Sequence, residues 1–186
     1  MSRGCDDPGV DDDNSEHERD RAMSSTEAPS LTAVPAAWNR LELERVGFVG
    51  FVPLIGMDRT QLPRRHGVYV VVHELDQEPE FLDSNVIDKW PPYPSAHLRE
   101  RWLTAVPVVY IGKAEGKVGL HRRVGAFSRQ ATNHSGGRSL WQLEKSQDLL
   151  VAWLETPGES ALAVEQQYLQ AFKAEYGSYP FANRRG

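Results

Sequence analysis

The chain has 186 residues, one domain's length with room for a tail, and an ordinary globular composition: 40% hydrophobic and 25% charged, with a formal net charge of −5. It contains no apolar run near the roughly 20 residues of a membrane helix, and the longest uncharged apolar stretch, Ala105 to Gly112, is only strand length. The lone Cys5 excludes an internal disulfide framework and a cysteine-based zinc site, and fits a reducing, cytoplasmic setting.

The charge is distributed unevenly. Residues 1–30 hold nine acids against Arg3, Arg19 and Arg21. Acids begin at Asp6, so the N-terminus lacks an apolar signal-peptide core. Such a segment buries too little apolar surface to offset its ordering entropy, and residues 1–35 are expected to be an acidic disordered tail ahead of one domain, 36–186. Between Lys113 and Arg138, six cations face the single acid Glu115. Charge focused in this way suits a polyanion, although a solvated helix face has the same composition.

Structure is expected to begin near Trp38. Phe48 to Pro53 alternates apolar residues with glycine and reads as an edge strand or a turn-rich lead-in. The first clear strand runs from about Gly67 to His73. Residues 74–104, with several acids and the run Pro91-Pro92-Tyr93-Pro94, read as a long loop with a short helix near Ala96 to Leu103. A second strand spans about Val106 to Ile111 and breaks at Gly112, which opens a glycine-bearing turn to Gly119.

Leu120, Val124 and Phe127 then mark one face of a helix over about Leu120 to Ala131. A loop follows at 132–139, with a short apolar turn at Trp141 to Leu143. A third strand covers Leu149 to Glu155, and a last helix Ser160 to Tyr176.

Some residues stand out against this pattern. In the last helix Glu165 falls on the stripe of Ala161, Leu169, Phe172 and Tyr176, where an unpaired carboxylate is costly. Arg123 lies beside the buried stripe of its own helix. The two either form a structural ion pair or flank a phosphate, with a metal on Glu165 and the guanidinium on phosphate oxygens. Tyr69 and Tyr110 each sit in a strand, a common core position. Lys113, three residues after Tyr110, is placed to favour its phenolate.

Together these residues resemble the GIY-YIG endonuclease family. Gly67-Val68-Tyr69 matches the first triplet and Tyr110-Ile111-Gly112 the second. Leu120-x-x-Arg123-Val124 follows in the first helix, then Glu165 in the later helix and Asn183 after it. The likeness covers about residues 45–186.

The resemblance implies an α/β (α+β) domain with a three-stranded antiparallel sheet flanked by helices. It implies a DNA endonuclease with one Mg²⁺ or Mn²⁺ per site held by Glu165. Tyr110 would be the base, assisted by Tyr69; Arg123 would stabilise the phosphate, and Asn183 would complete the set. Lys113 directly after the second triplet is similar to the restriction-enzyme branch, where that lysine supports tyrosine deprotonation. Lys117, His121, Arg122, Arg129 and Arg138 are then candidate DNA contacts, and double-strand cleavage implies a homodimer or two events.

Two departures stand against the pattern. Residues 74–104 form an insertion, and Phe127 occupies a position where many members have histidine. The alternative reading is a nucleic-acid-binding module with a degenerate site.

Overall fold

The computed structural model describes residues 33–74, 78–85, 90–131 and 137–184. The expected acidic tail lies outside these residues through position 32, as do 132–136 of the basic loop and 75–77 and 86–89 of the insertion.

The β-branched runs form strands, as their stiff side chains favour. β1 is Val49–Pro53, β2 Gly67–Val72, β3 Val108–Ala114 and β4 Leu150–Glu155. They make one antiparallel sheet in the order β1-β4-β2-β3. The sheet thus has four strands rather than the expected three. The added strand is the Gly-interrupted Phe48 to Pro53 segment, which pairs with β4 about 100 residues downstream in the register Val49↔Trp153 and Pro53↔Leu150.

Helices α1 (Arg40–Arg45), α2 (Ser95–Arg101), α3 (Gly119–Phe127) and α4 (Ala161–Tyr176) flank the sheet. Asn39 caps α1 by accepting the Glu42 N–H, and Ser160 caps α4 by accepting the Ala163 N–H. α2 is the short helix expected inside the insertion.

The sheet is buried on both faces. On one face, Leu120, Val124 and Phe127 of α3 cluster with Tyr69, Val71, Tyr110 and Trp153. On the other, Val164, Tyr168, Leu169 and Phe172 of α4 cluster with Val68, Val70, Ile111 and Ala152. The buried face of α4 is formed by Ala161, Val164, Tyr168, Leu169 and Phe172, and the half-buried Glu165 falls among them, on the expected stripe.

β3 departs most from its expected form. It does not break at Gly112 but continues to Ala114, with Gly112 paired to Tyr69. A Cβ at Gly112 would stand 2.6 Å from Tyr69 Cζ and 2.7 Å from Tyr110 Cε1. The glycine is there to make room for two phenol rings, not to end the strand. At its other end, the register passes from Val71↔Tyr110 to Val72↔Val108, so Val109 is an extra residue. This bulge places Val109 and Tyr110 in the same core cluster.

Candidate active site

β3 lies at the edge of the sheet, so its outer row of backbone groups needs partners from elsewhere. Ala182 donates its N–H to the Val109 carbonyl at 2.9 Å. The Asn183 side chain accepts the Ile111 N–H at 2.8 Å and donates to the Ile111 carbonyl at 2.7 Å. Two residues further on, the backbone of Lys113 is hydrogen-bonded to the Glu165 carboxylate. One strand edge thereby gathers the chain's C-terminal segment and α4 beside the tyrosine strand.

Tyr69 and Tyr110 are both buried, with ring centroids 5.9 Å apart. Their hydroxyls are hydrogen-bonded to each other, and both bond Arg123. The mutual bond raises the Tyr69 pKa and lowers that of Tyr110, the pattern of Tyr69 donating and Tyr110 accepting. Burial is the larger effect at each. It pushes Tyr69 well above the usual phenol value, and it pushes Tyr110 up against the opposing pull of Tyr69 and Arg123. Phe127 supplies the apolar wall, 5.6 Å from the Tyr110 ring and 5.0 Å from Trp141.

Glu165 belongs to a helix on the opposite face from α3, yet it acts on Tyr110 around the sheet edge, raising its pKa. Burial raises the pKa of Glu165 itself; Lys113 and Arg123 oppose that rise, and Glu115 adds to it. Among the described residues no lysine or arginine nitrogen approaches the Glu165 carboxylate within 4.0 Å, so Arg123 and Glu165 share a field without forming an ion pair.

The Lys113 ammonium lies 3.9 Å from Glu115, and its charge acts on Glu165, whose charge, with that of Arg123, acts on Tyr110. Alternation along β3 separates neighbouring side chains to opposite faces, and Lys113 lies next to Gly112, which faces the two phenols.

The expected DNA contacts do not form one group. Lys117, Arg122 and Arg129 are exposed around α3. His121 is held below the usual histidine range by burial and by Arg59, Arg64 and Arg129. Arg59 was not singled out from the sequence; its Nε makes no hydrogen bond among the described residues and lies over α3 at Gly125. Arg138 stands elsewhere. It donates from Nε to the Tyr93 hydroxyl at 2.5 Å and lies over the Tyr93 and Trp90 rings.

The tyrosines, Arg123 and Glu165 are therefore gathered at one end of β3, with Lys113 and Asn183 on its outer edge. Comparisons with protein families, with curated proteins and with solved structures found no match.

Proposed function

We propose that the chain is a divalent-cation-dependent DNA endonuclease of the GIY-YIG type. The observation that carries this reading is the hydrogen-bonded group of Tyr69, Tyr110 and Arg123 with Glu165 in the same electrostatic field. A guanidinium beside two phenols and an unpaired carboxylate is a donor set for a phosphodiester, because it offers a cation to the phosphate, a proton acceptor to water and an anion to a metal.

The residues fit a hard cation. Glu165 is a half-buried carboxylate whose charge no ion pair within 4.0 Å among the described residues neutralises. No three His, Cys, Asp or Glu side chains cluster among the described residues, so the remaining ligands would be water and phosphate oxygens. Glu165 would hold Mg²⁺ or Mn²⁺, which would supply Lewis acidity there and offset the carboxylate charge that opposes ionisation of Tyr110.

The chain's own residues do the rest. Arg123 binds the phosphate and favours the Tyr110 phenolate. Tyr69 donates to the Tyr110 oxygen and stabilises the charge there. Phe127 excludes water from the rear of both rings. One such site cuts one strand, so double-strand cleavage takes two protomers or two events. Among the described residues no helix is long and apolar enough to cross a membrane.

A second reading, a nucleic-acid-binding module without catalysis, is favoured by the raised Tyr110 pKa, since a neutral phenol is no base. Plasmid DNA with Mg²⁺ separates the two. Cutting by wild type and not by Glu165→Ala or Arg123→Ala supports the nuclease. Retention of DNA by all three without cutting leaves the binding module.

A further inference from the structure

The insertion places an aromatic ring among three guanidinium groups just beyond the site. Arg138 lies over the Tyr93 ring with its guanidinium carbon 4.3 Å from the centroid, and Arg184 does so at 3.9 Å. Arg101 is close enough to Arg184 for that charge to lower its pKa. Among the described residues, no carboxylate approaches any of the three within 4.0 Å; the nearby Glu100 lies 3.8 Å from His97. Three like charges gathered without a counter-ion among the described residues oppose folding, and cation–π contacts offset only part of that cost.

The cluster is also rigidly built. The buried Gln142 accepts the Tyr93 N–H at 2.8 Å and donates to the Tyr93 and Leu82 carbonyls, both at 2.9 Å. Arg101 donates to the Phe181 and Asn183 carbonyls at 3.2 and 2.8 Å. Its position is tied to the phenols. Gly137, one residue before Arg138, has φ +72, and a Cβ there would stand 3.4 Å from Tyr110 Cδ2. Asn183, one residue before Arg184, is the clamp on Ile111. Arg138 and Arg184 are thus each one residue removed from a contact with the Tyr110 strand.

Resting on the endonuclease reading, we propose that Arg138 and Arg184, seated on Tyr93 and backed by Arg101, grip a backbone phosphate of duplex DNA next to the scissile one. The guanidinium fork matches phosphate oxygens, and among the described residues both groups keep unused N–H donors: there Arg138 donates only from Nε, and Arg184 meets His97 Nε2 through one Nη at 3.2 Å. The insertion then sets the path of the DNA across the site, and Tyr93 is a positioning residue for both arginines.

The test is fluorescence anisotropy with a labelled DNA duplex in Ca²⁺, across a range of NaCl concentrations. Wild type is compared with Arg138→Gln/Arg184→Gln, the corresponding double lysine variant, and Lys173→Gln. Lys173 also lies over a tyrosine ring, Tyr179 at 4.9 Å, but on α4, away from this cluster.

The double glutamine variant is expected to bind about 10- to 100-fold more weakly and to lower the salt slope by about 1, the share of one phosphate. The double lysine variant should restore the slope, because charge is kept, and only part of the affinity. Lys173→Gln should behave as wild type. A folded double glutamine variant with wild-type affinity and slope overturns the phosphate site. If wild type still cuts plasmid DNA in that case, the endonuclease reading survives it; a wild type that neither binds nor cuts overturns both. An equal loss in Lys173→Gln also overturns the site, since the effect would then be one of net charge.

Discussion

The Asn183 side chain completes the outer edge of β3 by pairing with both backbone groups of Ile111, at 2.8 Å to the N–H and 2.7 Å to the carbonyl. It does for the strand what a neighbouring strand would do, next to the tyrosine on which the site is built. Asn183 is buried, with both polar ends of its amide engaged on Ile111. Asn183→Ala leaves a buried donor and acceptor without partners, and should cost about 2–4 kcal/mol. Asn183→Asp cannot donate to the carbonyl and should recover only part of this. Denaturant midpoints for the three proteins check the order.

Gly112→Ala tests whether the phenols need the missing side chain. The added Cβ meets the rings of Tyr69 and Tyr110 at under 3 Å, and neither ring has free space in the core. A loss of about 1–3 kcal/mol is expected from overpacking. If the chain is the proposed endonuclease, displacement of the two phenols should lower plasmid cutting by about 100-fold. Unchanged cutting would show that the phenol geometry is not what the reaction uses.

Glu165→Gln should separate stability from activity. The raised pKa of Glu165 means that the fold disfavours its charge. As pH rises through the unfolded-state value near 4.5, the unfolded chain ionises first and stability falls until the folded pKa is passed. The glutamine variant escapes that loss. Solvent reaching the half-buried carboxylate keeps the gain small, on the order of 2 °C in Tm at neutral pH. The gap to wild type should close in acid, where both carry a neutral side chain. On the proposed endonuclease reading, this variant should not cut plasmid DNA at any pH.

His73 gives the opposite slope. It is buried edge-on against Trp102 at 5.2 Å, and burial holds its pKa below 6.5. As pH falls through 6.5, the unfolded state takes the proton first and stability is lost. Between neutrality and mild acid the wild-type urea midpoint should fall, and His73→Leu should flatten that part of the profile. An identical pH dependence in the two proteins would sink this assignment.

Much of the framework was legible from local pattern. The valine runs of β2 and β3 and the apolar spacing of α3 and α4 were read to within a few residues, because strand and helix periodicities are short-range properties. The same patterns misled where distant chain decided the outcome. Gly112 read as a break because a glycine after an apolar run normally marks one; two rings supplied by different strands claimed its space instead. Glu165, by contrast, lies on the apolar stripe where its spacing put it, half-buried among Ala161, Leu169 and Phe172.

Local sequence pattern sufficed to show which segments bury and which residues look misplaced for their segment: two strand tyrosines, Arg123 beside an apolar stripe and Glu165 on another. Those are properties of composition and spacing over a few turns or strand residues. Only the tertiary structure decided that α3 and α4 lie on opposite faces of the sheet, that Glu165 meets the tyrosine site around the edge of β3, and that Arg184 shares a tyrosine ring with Arg138. Each depends on contacts made tens of residues apart. Such contacts form when an edge strand's unpaired backbone groups and a crowded set of charges find partners, and no local pattern encodes which partners those are.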